Sequence, residues 1–124
     1  MTAVASWLPD IGEIVWLDYE TSKGKEMSGQ HPFLVLSSKA FNDRTKTIVG
    51  LAMTSKEHMT SGRHDFNPFQ IKNVTSKGED SYINTNQIHT FDWEIRKMKK
   101  HPLGKINSIV QDRCKEYVAS ILGI

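Results

Sequence analysis

The amino-acid sequence predicts a mostly-β domain, a small barrel or sandwich, packed against one C-terminal helix. Short apolar runs broken by turn residues fill the chain as far as His89, the pattern of closely spaced strands. After Gly104 the apolar period changes to that of a helix. No linker, internal repeat or low-complexity tract divides the 124 residues, so residues 1–124 are read as one domain. A chain of that length buries roughly two-thirds of the surface its unfolded form exposes, enough for one core.

The first strand is Glu13-Ile14-Val15-Trp16-Leu17-Asp18-Tyr19, introduced by the breakers Pro9 and Gly12. A long polar loop from Glu20 to Gln30 follows, and loops of that length in compact domains often carry function. Pro32 opens Phe33-Leu34-Val35-Leu36-Ser37, continuously apolar and therefore expected to be buried on both faces. An Asn42-Asp43 turn leads to the strand Thr47 to Thr54, and Ser55 to Asp65 form a second polar loop. Next come Phe66 to Ile71 and, after Lys77-Gly78-Glu79-Asp80, the strand Ser81 to His89. Ile106, Ile109, Val110, Cys114, Tyr117, Val118, Ile121 and Leu122 then share one face of a helix. Pro102 and Gly104 precede that helix and Gly123 ends it.

Hydrophobic residues make up 38% and charged residues 24%, which excludes disorder and fits a soluble globular domain. Sixteen basic against 14 acidic residues give +2, which excludes a strongly basic nucleic-acid coat but leaves room for a local basic groove. The single Cys114 forms neither an intramolecular disulfide nor a CxxC metal site, and it is expected as a small core residue. No leader pattern opens the chain and no apolar run nears the ~18 residues of a membrane span. A reducing cytoplasm is the expected location.

Three segments in order resemble the MazF/PemK toxins. Pro9-Asp10-Ile11-Gly12-Glu13-Ile14-Val15-Trp16 is similar to that family's opening P-D-x-G-[DE]-[IL]-x-W. Gly24-Lys25-Glu26-Met27-Ser28-Gly29-Gln30-His31-Pro32, followed by Phe33-Leu34-Val35-Leu36-Ser37, is similar to its G-x-E-x-x-G-x-R-P and the strand after it. Met53-Thr54-Ser55 falls where the family has a Thr at the edge of its barrel, and Asn86-Gln87-Ile88 resembles its D-Q strand. The resemblance spans nearly the whole chain. It implies an SH3-like β-barrel of the MazF/Kid/CcdB type, a homodimer, metal-free and sequence-specific cleavage of single-stranded RNA (mRNA), inhibition of growth, and neutralisation by a cognate antitoxin with an acidic tail. Two positions depart from the pattern: His31 stands where the family has Arg, and Asn86 where it has Asp.

Cleavage of this kind uses the ribose 2′-OH as nucleophile. One group must take its proton, another must stabilise the charge on the phosphorane, and a third must protonate the leaving 5′-oxygen. By position in the resemblance, Glu26 is the expected general base or the group that orients one, Thr54 a hydroxyl donor to the phosphate, and His31 the general acid or cation. An imidazole exchanges protons near neutral pH, whereas an Arg offers a permanent bidentate clamp. Lys25, Gln30, Ser55, Arg63, His64, Asn86 and Gln87 are the expected RNA contacts.

No metal or cofactor is expected: His58, His64, His89 and His101 lack metal-ligand spacing. Lys97, Lys99, Lys100 and Lys105 form a basic run, a solvated face or a track for phosphate or an acidic antitoxin tail. Phe41, Phe91, Trp93, Trp7 and Trp16 offer stacking surface for bases, with Trp16 more simply core. Two other functions fit the same fold: a module that binds RNA or protein without cutting, and a toxin that poisons gyrase.

Overall fold

The computed structural model describes residues 7–18, 30–55, 67–75 and 80–124. Six strands, β1 (Glu13–Asp18), β2 (Gln30–Val35), β3 (Thr47–Thr54), β4 (Gln70–Asn73), β5 (Ser81–Asp92) and β6 (Lys99–Lys105), join two helices, α1 (Lys39–Thr45) and α2 (Ser108–Leu122). The strands form one antiparallel sheet in the order β4-β5-β3-β2-β1-β6, curled into a half-barrel with α2 packed on it. This is the mostly-β architecture with a C-terminal helix that the sequence predicts.

The period of two sorts side chains to opposite faces of the sheet. On one face Ile14, Leu34, Leu51, Met53, Ile71 and Ile83 form a core with Ile106 and Cys114, and Val110, Tyr117 and Val118 of α2 pack against it. On the other, Val15, Leu17, Phe33, Val35 and Ile48 form a second core, lined by Trp7, Phe91, Trp93 and Met98. Phe33, Leu34 and Val35 are fully buried on alternating sides, as the unbroken apolar run requires. Helix α2 begins at its N-cap Asn107, whose side chain accepts from Ile109 N, and ends at Gly123 in the left-handed region at φ 75°.

The structure corrects the reading of three segments. The expected Asn42-Asp43 turn lies inside α1, capped by Ser38 Oγ accepting from Phe41 N and closed by Lys46 at φ 59°. Seven residues are too few to show an apolar stripe, so only the cap is visible in sequence. Lys99, Lys100 and Lys105 of the basic run lie in the edge strand β6, where the sequence pattern predicts no element. Its lysines and Pro102 suit an edge, where no neighbour needs proline's missing N–H. β2 begins at Gln30, which brings His31 into the sheet, and β5 runs on to Asp92.

Candidate functional site

The strand register brings together residues far apart in sequence. Phe33 of β2 pairs with Ala52 of β3, Ala52 with Asn84 of β5, and Asn84 with Gln70 of β4. One step further along the same face, Thr54 pairs with Tyr82 and Tyr82 with Lys72. His31 lies two residues before Phe33 and therefore on the same face. Carrying the β2–β3 register two residues past its paired stretch sets His31 opposite Thr54. Imidazole, hydroxyl and phenol thus occupy one row across three strands, with Lys72, paired to Asp80 at 3.2 Å, at its end.

The backbone holds this row. His31 pairs with the fully buried Leu17 of β1, and Gln30 pairs with Asp18. The turn after β5 docks beside them: Asp18 N donates to Arg96 O at 3.0 Å, Arg96 Nη1 to Asp18 O at 3.2 Å, and Gln30 Nε2 to Lys97 O at 3.3 Å. Lys97, Lys99 and Lys100 therefore emerge near the start of β2 with their side chains exposed.

Next to the row lies a cluster of carboxamides. In β5, Leu51 faces Ile88 but Ala52 faces Asn84, so Thr85, Asn86 and Gln87 bulge from the ladder. Thr85 anchors the bulge by donating through N at 3.3 Å and through Oγ1 at 2.6 Å to Phe69 O. Asn84 and Asn67 are 3% and 5% exposed, so their polar atoms must be paired within the protein. Asn67 Oδ1 accepts from Phe69 N at 3.0 Å, and its Nδ2 donates to Asn86 Oδ1 at 3.0 Å and Asn84 Oδ1 at 3.4 Å. Gln70 Nε2 donates to Asn84 Oδ1 at 2.9 Å, and Asn84 Nδ2 to Gln87 Oε1 at 3.2 Å.

Of the residues expected from sequence, His31, Thr54, Gln30, Ser55, Asn86 and Gln87 fall on or beside this region. Glu26, Lys25, Arg63 and His64 lie outside the described residues. Sequence reasoning missed Asn67, Gln70 and Asn84. Their signal was the run Asn84-Thr85-Asn86-Gln87, four polar residues inside a strand, which marks a break in pairing.

Two histidines elsewhere are held toward their neutral forms. Burial lowers the pKa of His89, which stacks on Phe91 at 5.3 Å, and of His101, which stacks on Trp16 at 4.3 Å. His101 Nδ1 accepts from Leu103 N at 3.0 Å, a bond its protonation would break. Burial pushes the Cys114 thiol up to about 12, slightly opposed by Arg113, which makes it a core residue rather than a nucleophile. Among the described residues, no group of three or more His, Cys, Asp or Glu side chains is placed to hold a metal ion.

Residues 10–122 match the family described as PemK-like, MazF-like toxin of type II toxin-antitoxin system. The chain belongs to this family. The endoribonuclease toxin MazF of Escherichia coli (strain K12) is 26% identical over 93 residues, 75% of this chain and 77% of that protein. Crystalline MazF from Deinococcus radiodurans superposes with a TM-score of 0.77 at 26% identity, covering 96% of this chain and 100% of that one. The MazE–MazF complex of the same organism gives 0.77 at 25% identity, over 95% and 99%. The curled sheet and its terminal helix are thus the MazF-like fold.

Proposed function

We propose that this MazF-like chain is a toxin-type endoribonuclease that cleaves single-stranded RNA without a metal, acts in the cytoplasm, and is neutralised by a cognate antitoxin. The observation that carries the reading is the row His31–Thr54 on one face of β2 and β3, beside the polar bulge of β5. Family membership supports it, as do the endoribonuclease name of the E. coli relative and the solved MazE–MazF complex.

In the proposed reaction the ribose 2′-oxygen attacks phosphorus and the bond to the 5′-oxygen breaks. The products are a 2′,3′-cyclic phosphate and a 5′-hydroxyl. Glu26 takes the 2′-proton or orients the group that does. Thr54 Oγ1 donates to a non-bridging oxygen as charge develops on it. His31 stabilises the phosphorane or delivers a proton to the leaving oxygen, a contribution of about 10²–10⁴ in rate. The exposed Lys97, Lys99 and Lys100 attract phosphate without reading sequence. Incubation with a mixed single-stranded RNA pool in EDTA tests the proposal. Recurrent cuts that leave cyclic or 3′-phosphate ends are expected, and cutting that requires added Mg²⁺ or Zn²⁺ overturns it.

A further inference from the structure

The carboxamide cluster has a built-in polarity. A backbone N–H can only donate, so the Asn67 atom facing Phe69 N must be its oxygen. Asn67 then turns its nitrogen toward both Asn84 and Asn86, and those two must answer with oxygen. With its oxygen taken by Asn67 and Gln70, Asn84 turns its nitrogen toward Gln87, which also answers with oxygen. One backbone N–H therefore fixes the flip of a whole chain of side chains. Asn86 and Gln87 are both held by their carbonyl oxygens, and their amide nitrogens form the ends turned away from the cluster. Each such nitrogen carries two hydrogens and can donate in two directions.

Resting on the ribonuclease reading above, we infer that Asn67 is a positioning residue, acting directly and through Asn84. It presents Asn86 and Gln87 as hydrogen-bond donors and so makes the site select a keto base, uracil or guanine, over an amino base, adenine or cytosine. A donor meets uracil O4 or guanine O6 favourably and opposes the exocyclic amine that adenine or cytosine carries at the corresponding place. Asn86 is exposed, and Asn84 lies diagonal to Thr54 across β3 and β5, roughly 7–8 Å away, within reach of a base beside the reacting phosphate. The burial of Asn67 and Asn84 prevents water from compensating a flipped amide, which gives the polarity its hold.

The test maps cleaved ends in a randomised RNA pool, alongside binding of oligonucleotides carrying 2′-deoxyribose at the cut position. In the parent chain one position of the cut sequence should favour U or G by about tenfold, within the range of base-edge discrimination. Asn86→Asp replaces the outward donor by an acceptor and should move that position alone toward A or C. Asn67→Asp keeps the shape but cannot donate, so it should level the preference there while the melting temperature shows a folded chain. Unchanged base preference in both variants, or a parent that favours A or C at every position, overturns the inference and leaves the nuclease standing. A parent that neither cuts nor binds RNA overturns the nuclease reading itself.

Discussion

Asn42 is fully buried in α1 and uses both ends of its side chain: Nδ2 donates to Pro9 O at 2.9 Å and Ser37 O at 3.2 Å, and Oδ1 accepts from Ser37 Oγ. It ties the segment before β1 to the one after β2. Truncation strands one buried and one half-buried carbonyl, so Asn42→Ala should cost about 2–4 kcal/mol in denaturant unfolding. A cost within the ±0.5 kcal/mol of a surface substitution would remove this role. His101 gives a pH signature instead. Its folded pKa lies below the ordinary imidazole value, so between the two values the unfolded chain binds more protons. The contribution to stability is present above the unfolded pKa and is lost as pH falls through the folded one. His101→Gln should therefore flatten the fall in melting temperature below about pH 6.5, the ordinary imidazole value. An unaltered slope contradicts the assignment.

At the scale of elements, legibility followed periodicity. β1, the apolar part of β2, β3 and α2 carry apolar residues at the spacing their packing demands, and all were visible in sequence. α1 and β6 were not, because one is a seven-residue helix and the other an edge strand of lysines with a proline. The candidate site was half legible. His31 and Thr54 came from resemblance, whereas the buried amides needed the register, since nothing local brings Asn67 to Asn84 and Asn86. Gly50 shows how tight β3 is against β2: a Cβ there would strike Leu34 O and lie 2.7 Å from Phe33 Cε2. The first obstacle is backbone and cannot rotate away. Gly50→Ala should cost 1–3 kcal/mol or more and loosen the strand pair that sets His31 against Thr54. The check is hydrogen exchange at β2 and β3. Unchanged protection would show that the sheet absorbs the methyl.

At the scale of the whole molecule, the candidate site lies on one face of the curled sheet, and a single-stranded RNA bound there as proposed would need length. Two copies of the chain would lengthen the track, and we expect a homodimer. Sedimentation at micromolar concentration should give twice the 14.1 kDa chain mass, and a monomer throughout that range contradicts it. The central claim is that the row on β2 and β3 performs the chemistry, with His31 as its imidazole member. The most direct test is the single-turnover cleavage rate of single-stranded RNA in EDTA for the parent chain and His31→Ala, with melting temperatures measured in parallel. The account predicts a loss of about 10²–10⁴ in rate with the fold intact. A folded His31→Ala chain that cuts as fast as the parent would contradict it.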